Sequence, residues 1–264
     1  MPHPPCLRWG GEAMQPVLKK ITQAVVLLTM SVTGLAEEAQ VAVAANFAEP
    51  IKAIAATLEK TTGYKLKITL GATGKLYAQI KNGAPFDVLL AANTVAPAAL
   101  EKEKLTLPGS RFTYATGKLV LWSADVTRID ANGDVLKSGN FRKLAYANPK
   151  TAPYGEAALQ VMNQLGLTPA LTPKLVQGES IGQTFSFVFT GNAELGFVAM
   201  SQVLESGKLK SGSMWLIPQA LYPPIHQDAV ILDHGANNPA ALALISLLKS
   251  TDIKDLIRSY GYDI

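Results

Sequence analysis

Four short segments place small or hydroxyl-bearing residues where a strand pattern runs into a helix pattern. They are Ala45-Asn46-Phe47, Gly71-Ala72-Thr73-Gly74, Ala152-Pro153-Tyr154-Gly155 and Glu179-Ser180-Ile181-Gly182. The first turn of a helix leaves N–H groups without intrahelical partners and carries a partial positive charge, so it holds an anion without a charged side chain. Four such ends point to a captured oxyanion. Asn46 stands at a natural N-cap, and capping its own helix is a role asparagine fills without any ligand. Thr73 repeats the situation between Gly71 and Gly74, which either let the backbone approach a bound group closely or serve a tight turn. Tyr154 offers a phenolic O–H on a stiff ring, or packs as an ordinary aromatic. Ile181 offers its backbone N–H. Asp87 is assigned a structural role, because a carboxylate facing the site repels an anion.

Enzyme signals are thin. Apart from His3, the histidines are His226 and His234, both beside a late Pro-rich stretch, with no nucleophile motif next to either and no His-Glu-x-x-His. Gly71-Ala72-Thr73-Gly74-Lys75 resembles part of a phosphate loop, but Thr69 stands where its first glycine belongs and Leu76 where magnesium needs a hydroxyl.

The elements that position these segments begin after a leader. Lys19 and Lys20 precede the apolar run from Ala24 to Val32, and Gly34-Leu35-Ala36 puts small residues before a cleavage point near Ala36. Met14 begins a more ordinary leader than Met1. The only cysteine, Cys6, falls in the removed part, so the mature chain is expected to form no disulfide. The formal charge drops from +4 by two, since the leader carries Arg8, Lys19 and Lys20 against Glu12. A nearly neutral mature chain gives no support for nucleic-acid binding.

From Val41 onward, strands alternate with helical patterns, which implies βαβ units and a mainly parallel sheet. Strands are predicted near residues 41–45, 65–70, 87–92, 144–147 and 195–200. Helices are predicted near 51–62, 73–82, 97–104, 155–165 and 181–189. Residues 111–122 read as one long strand, and 126–139 as an irregular or partly helical excursion. The segments 116–119 and 218–224 are candidate crossings between two lobes. On the pattern alone, a single open α/β sheet stands level with that arrangement.

The chain resembles the periplasmic molybdate-binding proteins, the soluble receptors of ABC-type molybdate importers. The similarity is carried by Ala44-Ala45-Asn46-Phe47, by the stretch from Ala78 to Asp87, and by Pro108-Gly109-Ser110-Arg111-Phe112-Thr113-Tyr114-Ala115. Ala147-Asn148-Pro149 through Gly155, Leu195-Gly196-Phe197-Val198-Ala199 and Arg258-Ser259-Tyr260-Gly261-Tyr262 add to it. The resemblance implies an α/β fold of the two-lobed type II periplasmic-binding class, each lobe a mainly parallel sheet flanked by helices, joined by two crossing strands. The implied divisions are a signal peptide over 1–36, a first lobe over 37–117, a second over 118–222 and a return to the first over 223–264.

It also implies an oxyanion site of Ala45, Asn46, Thr73, Tyr154 and Ile181, with no cofactor and no catalytic residue. The ligand is molybdate or tungstate, held through its oxygens. The partner is the membrane permease of an ABC importer, and the receptor is a periplasmic monomer. Ala199 stands where one branch of the family has a tyrosine; the missing hydroxyl is one that Tyr154 supplies from another side. The alternatives are a sulfate or phosphate receptor of the same fold, or an exported α/β enzyme. A fully deprotonated oxyanion presents only acceptors, so the pocket is expected to present only donors.

Overall fold

The computed structural model describes residues 37–264; the leader, Cys6 and the cleavage point near Ala36 lie outside the described residues. β1 (Glu38–Ala44) is buried continuously from Val41 and pairs in parallel with both β2 (Lys65–Gly71) and β3 (Val88–Leu90). A strand flanked on both sides and covered on both faces needs such a continuous apolar run. β2 lies at the sheet edge with Lys65 and Lys67 exposed, which discourages pairing with another chain. Then come β4 (Phe112–Gly117), β5 (Leu119–Ser123), β6 (Leu144–Ala147), β7 (Leu175–Gly178) and β8 (Leu195–Ala199). A small hairpin of β9 (Leu204–Glu205) and β10 (Lys208–Leu209) precedes β11 (Ser213–Leu216) and β12 (Ile225–Ile231).

These strands build two five-stranded sheets, ordered β2-β1-β3-β12-β4 and β11-β5-β8-β6-β7. The chain passes from the first to the second between β4 and β5, and returns between β11 and β12. Each sheet is mainly parallel, as expected, with one reversed strand that makes it mixed: β12 runs against β3 and β4, and β5 against β8 and β11. The βαβ strands end at the cleft between the sheets, whereas a strand that has just crossed begins there. The expected long strand over 111–122 divides at Lys118, where the chain leaves the first sheet for the second, and the residue before the break must be glycine for a steric reason. A Cβ on Gly117 would overlap the Tyr154 hydroxyl oxygen and lie 2.5 Å from the Gln227 amide nitrogen. The return crossing carries Pro218, Pro223 and Pro224, which cannot donate to a ladder.

Each sheet has its own core. Helix Ala48–Thr62 buries Ile51, Ile54 and Leu58 on the first sheet and ends at Gly63, whose φ of 78° lets its N–H reach the Glu59 carbonyl. The C-terminal helices Pro239–Leu248 and Thr251–Ser259 add Leu244, Ile253 and Ile257 to that core. The second lobe is built around Leu121, Val161, Met162 and Phe197. Ala44, Ala45, Ala72 and Ala92, from strand ends of the first sheet, pack into that second core. The two lobes are closed on each other.

Candidate oxyanion site

Closure leaves a small void between the lobes, far below the size of pockets for organic ligands. Ala45, Asn46, Thr73, Tyr154 and Ile181 all line it, and no lining residue carries a charged side chain. Four helix starts meet there. The 3-10 turn Ala45–Phe47 leads into helix Ala48–Thr62, and helix Thr73–Lys81 starts on Thr73. From the second lobe, Pro153–Gln164 brings Tyr154 as its first N–H, since Pro153 has none, and Ile181–Phe189 starts on Ile181. These N–H groups stand in first turns, where helix geometry gives them no partner within the helix.

The side chains differ in what they offer. Thr73 Oγ1 accepts the Ala92 N–H at 3.0 Å, which leaves the hydroxyl proton to donate elsewhere. Tyr154 is 1% exposed, and its hydroxyl accepts from Gln227 Nε2 at 3.1 Å. Burial, the largest influence, pushes its pKa well above the ordinary phenol value, so it remains a neutral O–H. Asn46 departs from the expected wall of donors. Its Nδ2 donates to Gln227 Oε1 at 2.8 Å and to the Tyr262 hydroxyl at 2.9 Å, and its buried Oδ1 has no partner. It does not cap its helix through its side chain either.

Behind the cavity lies a polar network that sequence reasoning missed. Gln227, fully buried on β12, also accepts from the Tyr114 hydroxyl at 3.0 Å. The Tyr262 hydroxyl bonds the Asn46 carbonyl and Ser201 Oγ, and Ser201 Oγ donates to the same carbonyl at 2.7 Å. Phe47 wedges between the Tyr114 and Tyr262 rings in edge-on contacts at 4.9 and 5.6 Å. The available signal was weak: Gln227 stands between His226 and Asp228, a polar run ahead of the apolar Ala229–Ile231 end of β12. Three further contacts cross the cleft at its rim. The Gly74 N–H donates to the Thr151 carbonyl at 2.9 Å, Lys75 pairs with Glu179 at 2.7 Å, and Gly182 comes against Ala45 with no room for more than a slightly displaced Cβ.

Residues outside the site have other partners. Ala199 does not line the cavity, and its N–H donates to Gln202 Oε1 at 3.0 Å. Asp87 accepts the Gln40 N–H at 2.6 Å and faces His234 Nδ1 at 2.7 Å, which ties the start of β3 to the turn after β12. Gly178-Glu179-Ser180-Ile181-Gly182 has the Gly-x-Ser-x-Gly spacing of a hydrolase nucleophile turn. Ser180 is instead an N-cap, its Oγ accepting the Gln183 N–H at 3.2 Å. Neither described histidine is bonded to it: His226 pairs with Thr116 and His234 with Asp87. Among the described residues no group of acidic, histidine or cysteine side chains could hold a metal ion.

Residues 39–263 match the family of bacterial extracellular solute-binding proteins. The molybdate-binding protein ModA of Azotobacter vinelandii is 58% identical over 87% of this chain and 91% of its own length. The chain belongs to the molybdate-binding branch of this family. Another member, ModA of Rhodobacter capsulatus, is 48% identical over 91% of the chain and 94% of its own length. The solved periplasmic molybdate-binding protein of Azotobacter vinelandii superposes with a TM-score of 0.83 at 40% identity, covering 86% of this solute-binding protein and 99% of the other chain. These relatives are binding proteins, not enzymes.

The buried phenols give this solute-binding protein an alkaline limit. Burial, the largest influence, raises Tyr262 from 10 to about 12, and Tyr114 rises for the same reason. A pKa raised in the folded state contributes stability that is complete below about pH 10 and is lost as pH climbs through the folded value. For Tyr262 the loss amounts to about 2–3 kcal/mol. Urea denaturation is expected to show flat stability from about pH 7 to 9 and a steep decline from about pH 10 to 12, shallower in Tyr262→Phe.

Proposed function

We propose that this protein is the exported receptor that captures molybdate, and tungstate with it, between its lobes and delivers it to the membrane permease of an ABC importer. The observation that carries the reading is the meeting of four helix starts, two from each lobe, on one small cavity without a charged side chain. On this reading Ala45, Asn46, Thr73, Tyr154 and Ile181 hold the oxygens. The leader is removed near Ala36, the mature chain works as a periplasmic monomer, and the lobes divide as 37–117, 118–222 and 223–264.

The energetics suit a carrier. Charge-assisted hydrogen bonds contribute about 1.5–3 kcal/mol each, so roughly half a dozen support sub-micromolar binding after the costs of association. Neutral donors leave the anion releasable when the lobes part. The anion touches both lobes only when they meet, so its binding energy favours the closed state. A rigid cage also selects by size, because a smaller sulfate cannot reach every donor at once.

Titration calorimetry with four oxyanions tests this directly. Molybdate and tungstate are expected to bind with Kd below about 1 μM, and sulfate and phosphate at least about a hundredfold more weakly. Heat from sulfate alone would overturn the assignment.

A further inference from the structure

We infer that Gln227 is a positioning residue that couples Asn46 to Tyr154, so that only one of the two donates to the bound oxyanion at a time. The inference rests on the oxyanion reading of the cavity and deepens it. Gln227 does not line the cavity, yet its two amide ends hold a side chain from each lobe that does. Its Oε1 takes the Asn46 Nδ2 at 2.8 Å and its Nε2 gives to the Tyr154 oxygen at 3.1 Å.

The consequence is forced by counting protons. Because Gln227 donates to Tyr154, the tyrosine's own proton is not spent on Gln227 and goes to the anion when one is bound, with the Tyr262 hydroxyl as its acceptor otherwise. Because Gln227 accepts from Asn46, the end of Asn46 left over is its oxygen, buried and without a partner. The pair thus offers one donor and one lone pair. A half-turn of both amides together gives the other self-consistent arrangement. Gln227 Nε2 then donates to Asn46 Oδ1 and to the Tyr114 hydroxyl, whose own proton turns wholly to the Ala91 carbonyl. The Tyr154 proton goes to Gln227 Oε1, and Asn46 turns its N–H groups toward the anion. Tyr262 donates or accepts as required. Turning one amide alone sets oxygen against oxygen or N–H against N–H at 2.8 Å between two buried side chains, so the two move together.

An anion that presents only acceptors can always draw one donor from this pair and never both. Asn46 and Tyr154 are therefore interchangeable for affinity while Gln227 is present. Calorimetry with molybdate on the wild type, Tyr154→Phe, Asn46→Ala and the double variant tests this. Each single change is expected to weaken binding by less than about threefold, and the double by about tenfold or more. In a Gln227→Met background both groups are released to donate, so Tyr154→Phe is expected to cost about tenfold there. If Tyr154→Phe or Asn46→Ala alone weakens binding as much as the double change, the coupling is refuted. Where Gln227→Met does not fold, the first set, which keeps Gln227, decides alone. A wild type that shows no molybdate heat counts against the oxyanion reading itself; a binding wild type with additive losses counts against the coupling only.

Discussion

Saturating molybdate is expected to raise the midpoint of thermal unfolding by about 8–16 °C. At a free concentration about a thousandfold above Kd, mass action adds about 4 kcal/mol to the folded state. Each kcal/mol moves the midpoint of a chain of this size by about 2–4 °C. Sulfate at the same concentration, bound at least about a hundredfold more weakly, adds at most about 1.4 kcal/mol and is expected to move it by less than about 6 °C. Differential scanning fluorimetry reads both, and an unmoved midpoint with molybdate would remove the ligand from the account. Thr73 separates binding from scaffolding in the same assay. Its oxygen takes the buried Ala92 N–H, so Thr73→Val orphans that donor as well as losing the ligand contact. The unliganded midpoint should fall by an amount worth about 1–3 kcal/mol, and the molybdate increment should shrink with it. Thr73→Ser keeps both bonds and should restore both.

Why the site was legible, and where it was not, follows from what each part depends on. Helix starts announce themselves locally, because the strand-to-helix change and the small residues around it lie within a few positions. Thr73, Tyr154 and Ile181 could be placed at helix starts from their neighbours alone, and each does begin a helix at the cavity. The side-chain chemistry of Asn46 is a different matter. Its amide is engaged by Gln227 and Tyr262, which lie 181 and 216 residues further along the chain, and no local pattern carries that information. The same limit explains the sheet. The alternation of strands and helices is a local property and led to parallel strands, whereas β12 joins the first sheet only after the chain has built the whole second lobe. The need for glycine at 117, just before the strand breaks, is likewise set by Tyr154 and Gln227, both remote in sequence. Short elements fared worst: β7, four residues on the flank of the second sheet, is too brief to show a period.

Gly155→Ala is expected to destabilise the protein by about 3–5 kcal/mol, a drop of roughly 6–20 °C in thermal midpoint. The helix that begins at Pro153 starts directly over the end of β6. A Cβ on Gly155 would overlap the Ala147 carbonyl oxygen and lie 2.7 Å from its carbon and 2.9 Å from the Asn148 carbonyl carbon. These are backbone atoms. They are tied in turn, the Asn148 N–H donating to the Gly178 carbonyl and the Ala152 N–H to the Asn148 carbonyl, so neither side can yield by rotating a side chain. Relief requires the helix start to lift, and the Tyr154 N–H and ring lift with it. Gly74→Ala makes the informative comparison. Its Cβ would meet Thr151 across the cleft at 3.1–3.2 Å, a separation the two lobes can recover by opening slightly. Its unliganded midpoint should stay within a few degrees of wild type, allowing for about 1 kcal/mol of crowding, while molybdate affinity falls, because only the closed state is crowded. Equal stability losses in the two variants would mean that the cleft is no softer than the interior of a lobe. That result would contradict a site that works by opening and closing.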